Sequence, residues 1–143
     1  MLFRSLVFVD TGSAVICPLV CYDLRFPELW RLAALAGAEL FTVSSAWPSP
    51  RIEHWRTLLA ARAIENQAWV VASNRCGSDP KLEYGGRSAI LDERGGRRAE
   101  AESAVTTLST PFDRASLDAW RAGFDALRDL RPSLLGATKV ERV

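Results

Sequence analysis

Short apolar, β-branched runs alternate along the chain with stretches whose apolar residues recur at helical spacing. Residues 5–9 and 14–20 read as two strands, and Asp10-Thr11-Gly12 between them is a hairpin-type turn signal. Pro18 interrupts the second run and points to an edge position or a bulge, because proline has no N–H for a ladder. Residues 27–36 read as a helix: proline suits its first turn, Leu29, Leu32, Ala33 and Ala36 share a face, and Gly37 can close it. "ELFTVSS" has the pattern of a buried strand, and "AWPSPR" is a stiff loop in which Pro48 and Pro50 block continuation. From 52 to 67, Trp55, Leu58, Leu59, Arg62 and Ile64 predict an amphipathic helix.

"AWVVASN" follows as another buried strand, and 77–86 reads as a polar loop. "RSAILD" and "SAVTTLS" then read as two strands about an "ERGG" turn. Residues 116–130 predict a second long amphipathic helix, with Leu117, Trp120, Phe124 and Leu127 on one face and Ser116 as its cap. The pattern predicts an α/β fold, a mixed sheet layered with helices. A domain over 1–130 is followed by a Pro- and Gly-interrupted tail over 131–143.

Bulk properties narrow the function classes. The 143 residues suffice for one domain with a real core, and 48% hydrophobic with 24% charged residues is ordinary for a globular protein. A net charge of +1 gives no footprint for nucleic acid or a membrane surface, and no apolar stretch reaches the roughly 18 residues of a spanning helix. The N-terminal "MLFRSLVFVDTGS" lacks a secretory layout, since its apolar run is short and Asp10 follows at once. Three cysteines without metal-ligand spacing, and His54 as the one histidine, argue against a zinc site; reduced thiols in a cytoplasmic protein are the simplest reading. No phosphate-cradling glycine loop is present, and no cofactor is called for.

Candidate chemistry centres on Cys21, which ends an apolar run where strand pattern becomes helix pattern. Such a turn exposes the sulfur at a sheet rim, aims backbone amides into the same space, and favours thiolate near a helix start. Packing is the competing reading, since cysteine is among the most buried residue types. Cys17 in mid-strand and Cys76 after "SNR" are weaker candidates. A nucleophile needs a base, and a Cys–His pair would have to use His54, which a surface polar role also explains. Asp23 and Glu28 have the opportunity to pair with Arg25 or Arg31.

Three stretches in order say more: "VCYDLRFPELWR", "WPSPRIEHWRTLLAARAIENQAWVVASNRCGSD" and "YGGRSAILDERG". Together they resemble the nitrilase superfamily of carbon–nitrogen hydrolases, and in particular its omega-amidase branch, which hydrolyses small amides of 2-oxo acids. The resemblance covers about half of the chain. It implies an α-β-β-α sandwich, of which this chain would be the C-terminal part, packed into homo-oligomers. It also implies a Glu–Lys–Cys triad working through a thioester on a small-molecule amide.

By that resemblance Cys21 is the nucleophile, Tyr22 gives its backbone N–H to the oxyanion hole, and Trp47 lines the substrate pocket. Arg25 or Arg51 holds a substrate carboxylate, or else each pairs with Glu28 or Glu53. Glu65 and Asn66 are packing and interface groups. The family's glutamate and lysine precede the cysteine, yet the twenty residues before Cys21 hold neither; Lys81 and Lys139 both follow it. The expectation is a chain equivalent to the later half of a longer enzyme, inactive alone. The alternatives are a silent homologue serving as a binding or assembly module, and a thiol enzyme using His54.

Overall fold

The computed structural model describes residues 5–131; residues 132–143, most of the predicted tail, lie outside the described part. Six strands form one sheet: β1 (Val9–Asp10), β2 (Val15–Val20), β3 (Leu40–Ser45), β4 (Trp69–Asn74), β7 (Ala89–Leu91) and β8 (Arg97–Glu100), in that spatial order. The sequence positions between β4 and β7 hold a separate hairpin of β5 (Cys76–Ser78) and β6 (Glu83–Gly85). Strands β2, β3 and β4 run parallel, while β1, β7 and β8 are antiparallel to their neighbours. Helices α1 (Pro27–Leu35) and α2 (Ile52–Asn66) make the two crossovers, which right-handed connection places on one face of the sheet.

The core lies between that face and the helices. Alternate residues point inward and match in register: Cys17 beside Phe41, Leu19 beside Val43, Phe41 beside Val70, and Val70 beside Leu91. They meet Trp30 and Ala33 of α1 and Trp55, Leu59 and Ala63 of α2, all fully or almost fully buried. The other face carries Pro18, Val20, Ser44, Val71 and Ser73, and these remain exposed. Its cover includes Phe112, whose ring meets Trp69 edge-on at 5.3 Å.

The predicted starts and stops of α1 and α2 are close to those observed. Pro27 opens α1, and Gly37 at φ 102 ends it, with Gly37 N–H on Ala34 O and Ala38 N–H on Ala33 O. Helix α2 ends on Gln67 in the left-handed region, φ 46. Pro18 falls beyond the two residues through which β1 pairs with β2, so its missing N–H leaves no gap in that ladder.

Other expectations are corrected. The loop predicted at 77–86 contains the β5–β6 hairpin, tied by Asp79, whose Oδ1 accepts from Lys81 and Leu82 N–H and whose Oδ2 accepts from Tyr84 Oη at 2.7 Å. The strand after the "ERGG" turn is the polar "RRAE" of β8; "SAVTTLS" is mostly exposed and joins no sheet. β8 is an edge strand whose arginines find carboxylates, as in Arg97–Glu100 at 3.5 Å, so it needs no apolar alternation. Helix α3 runs from Arg114 to Gly123, with Asp113 as its cap accepting from Ser116 N–H, while the Ser116 hydroxyl donates to buried Glu93 at 2.7 Å. Ile64 is exposed, so the buried face of α2 runs through Trp55, Leu59, Arg62, Ala63 and Asn66. Asp23 makes no ion pair among the described residues; its Oδ2 accepts from Val20 N–H at 2.9 Å.

Candidate active site

The parallel strands all end at one rim, where Cys21, Ser45 and Asn74 stand side by side. Cys21 follows the last residue of β2 and begins a short 3-10 turn, Cys21–Arg25, with φ 44. A non-glycine residue in this left-handed region carries strain of about 1 kcal/mol or more and persists only where its surroundings hold it. Two braces do so here. Trp30 Nε1 of α1 donates to Asp23 O at 3.1 Å, and Arg62 of α2 sends Nε and Nη2 to Leu24 O at 3.1 and 2.8 Å. Arg62 is nearly buried and is balanced by Glu65 Oε1 at 2.8 Å.

Burial, opposed by the Val20 N–H, pushes the Asp23 carboxyl above the ordinary aspartate range. Burial also pushes the Cys17 thiol, four residues upstream, up to about 12. Cys21 is only half-buried, and the Ser45 hydroxyl donates to its sulfur at 3.3 Å. Amides at the start of a helical turn lack partners within the turn, so Tyr22 N–H sits where such donors are found. The Tyr22 ring is exposed and meets Phe26 edge-on at 5.4 Å.

A cleft of about 580 Å³ opens beside the sulfur, lined by Cys21, Tyr22, Arg25, Ala46, Trp47, Pro48 and Arg51. The structure therefore brings all five predicted site residues to one cavity. Trp47 is held at three points: its N–H donates to Asn74 Oδ1 at 2.6 Å, its Nε1 to Arg51 O at 2.7 Å, and its ring lies 5.7 Å from that of Trp55. The Arg25 guanidinium stands over the Trp47 ring, 4.8 Å from its centre, with Nη2 3.5 Å from His54 Nδ1.

Among the described residues neither Arg25 nor Arg51 has an ion pair; Glu53 pairs with Arg56 instead. The two cleft guanidinium groups thus have no described carboxylate within salt-bridge reach. His54 is exposed, faces Arg25, and is not part of the lining around Cys21. Among the described residues no carboxylate lines the cleft.

Two residues of the site carry no signal in the sequence reading. Ser45 reaches Cys21 because the parallel register sets Val20 beside Ser44, so the next residues of both strands meet. Asn74, buried at the end of β4, joins the Trp47 loop to Gly86 O by an Nδ2 bond of 2.6 Å. No group of three or more His, Cys, Asp or Glu among the described residues is placed to hold a metal, and no described helix is long and apolar enough to cross a membrane.

The family model described as carbon-nitrogen hydrolase matches residues 4–122. The chain is 43% identical over 128 residues to a 2-oxoglutaramate amidase of Paenarthrobacter nicotinovorans, covering 90% of this chain and 44% of that protein. It is 42% identical over 125 residues to the omega-amidase YafV of Escherichia coli K12, covering 86% of this chain and 48% of that one. A crystal structure of a CN-hydrolase superfamily protein from Xanthomonas campestris, with an arsenic adduct in its active site, superposes with a TM-score of 0.82 at 38% identity. That match covers 88% of this chain and 50% of the other. The chain spans about half the length of the curated relatives it matches.

Proposed function

The chain belongs to the carbon–nitrogen hydrolase family, and on that footing we propose that its Cys21 cleft is the nucleophile side of a site that hydrolyses the terminal amide of a small linear 2-oxo acid. One observation carries the reading: a strained rim cysteine shares its cleft with two guanidinium groups that no described carboxylate pairs. A substrate with a carboxylate at one end and an amide at the other suits that arrangement. A guanidinium holds the first in a bidentate pair, and the sulfur meets the second. The names of the amidase relatives, 2-oxoglutaramate amidase and omega-amidase, point to the same substrate class.

In the proposed reaction the Cys21 thiolate adds to the amide carbon, and the oxyanion that forms is met by Tyr22 N–H. The C–N bond breaks as nitrogen takes up a proton, and ammonia leaves a thioester. Water then adds to the thioester, releasing the carboxylic acid and restoring the thiol. The proton transfers need a base, and the family resemblance assigns that part to a glutamate, with a lysine on the oxyanion. Neither residue type occurs in residues 1–20, and among the described residues no carboxylate lines the cleft.

We therefore assign both helpers to polypeptide of the kind that the relatives carry outside the matched half. Such a segment would also cover the bare sheet face at Val20, Ser44 and Val71. The same observations favour a second reading, a silent binding or assembly module. Ammonia release from 2-oxoglutaramate separates the two. The 143 residues alone should give none above background. Co-expression with the unmatched segment of the Paenarthrobacter relative should restore turnover, to be lost again in Cys21→Ala. A refolded, complemented protein without turnover would overturn the hydrolase reading. Turnover of about 1–10 per second by the chain alone would overturn the assignment of the helpers.

A further inference from the structure

We propose that the Ser45 hydroxyl hydrogen-bonds the Cys21 sulfur so as to hold its anionic form, and thereby sets how much thiolate the cleft presents near neutral pH. This rests on the reading of Cys21 as the nucleophile. The sheet dictates the contact: β2 and β3 are parallel, Val20 lies beside Ser44, and the residues after each come together at the rim. The Ser45 backbone is fixed there, its carbonyl accepting from Arg75 N–H at 2.9 Å. Among the described residues its hydroxyl serves a single partner, Cys21 Sγ, at 3.3 Å.

A hydroxyl bond to a thiolate is charge-assisted and one to a neutral thiol is not, so the bond favours loss of the proton. Several other groups surround the sulfur. Arg25, Tyr22 and Arg51 share the cleft, Asp23 is turned toward Val20 N–H, and His54 faces Arg25. Arg62 and Glu65 brace the turn from α2, and Arg75 lies behind Ser45. None of these is altered by removing the Ser45 hydroxyl, so Ser45→Ala isolates its effect.

Holding the thiolate has two opposed consequences. The anion becomes more abundant at low pH, and each anion becomes a weaker nucleophile. Alkylation by iodoacetamide, in which the sulfur–carbon bond forms as iodide departs, reads both. Rates at Cys21 and Cys76 are followed by peptide mass spectrometry from about pH 5 to about pH 10, in the full chain and in Ser45→Ala and Ser45→Thr. For Ser45→Ala the midpoint of the Cys21 profile should move to higher pH. A move of one unit makes the low-pH rate about threefold slower and the high-pH plateau about threefold faster, since tenfold less thiolate is partly offset by its greater nucleophilicity. Ser45→Thr should restore the profile, and Cys76 should not change.

Two results overturn the proposal: superimposable Cys21 profiles, or a slowing by the same factor at every pH, which a merely structural role would give. Failure of the nucleophile reading looks different. Cys21 would then stay unlabelled in all three proteins while Cys76 reacts.

Discussion

Cys17 and Cys21 stand at the middle and the end of one strand and live in opposite worlds. Cys17 points into the helix-covered core, fully buried, and burial drives its thiol up to about 12. At Cys21 the strand has stopped, the backbone has crossed to φ 44, and the sulfur faces a cleft with a hydroxyl on one side and two guanidinium groups nearby. What differs is not the residue type but where the alternation of the strand ends. In mid-strand the pleat decides which way a side chain points; at the rim the turn decides.

Substitutions should separate the two positions sharply. Cys21→Ala in the complemented protein should lower ammonia release by at least about 10³-fold while leaving urea unfolding almost unchanged. Asn74→Ala, which leaves Trp47 N–H and Gly86 O without their partner, should cost about 2–3 kcal/mol and disturb the rim alone. A urea midpoint lowered together with normal Cys17 protection from iodoacetamide is the expected pair of results.

Cys17→Ser, which buries a hydroxyl in the core, should cost about 1–2 kcal/mol without changing Cys21 alkylation. Cys17 also predicts an alkaline signature. Its raised value means that between 9.0 and about 12 the unfolded chain releases a proton that the folded chain keeps. The contribution of Cys17 to stability is therefore complete below 9.0 and falls as pH rises, by about 1.4 kcal/mol per pH unit, a slope that Cys17→Ala should remove. Asp23→Asn should have the smallest effect, within about 0.5 kcal/mol at neutral pH, because an amide oxygen can still accept from Val20 N–H. Since burial raises the Asp23 carboxyl in the fold, its contribution is full at acid pH and declines as pH rises. The wild type should thus gain on Asp23→Asn as the solution is acidified, in parallel urea titrations.

The sequence makes the strand–helix alternation around the site readable because each element there has a strong internal period and a marked stop. Gly37 ends α1, and proline opens both α1 and the 3-10 turn before α2. The meeting of Cys21, Arg25, Trp47 and Arg51 is legible through the order of three long motifs. What stays hidden depends on partners distant in the chain. β8 is polar because an edge strand needs carboxylates more than a core, so "SAVTTLS" outbids it on hydrophobicity. A serine after a buried strand carries no mark of its own, and only the register of β2 on β3 turns Ser45 toward sulfur. Asn74 is silent for the same reason: its bonds reach Trp47 and Gly86, and neither spacing is a motif.

Arg121 of α3 sends Nε to Gln67 O at 2.9 Å and Nη2 to Ala38 O at 2.8 Å, gripping the two loops that feed β3 and β4 from the end opposite Cys21. Six-residue strands span about 20 Å, so this anchor and the Cys21 sulfur sit at opposite poles of the sheet. Drift or engineering at the anchor can retune how firmly the scaffold is pinned while the cleft pole keeps its shape, which leaves durability and the proposed chemistry free to evolve on separate schedules.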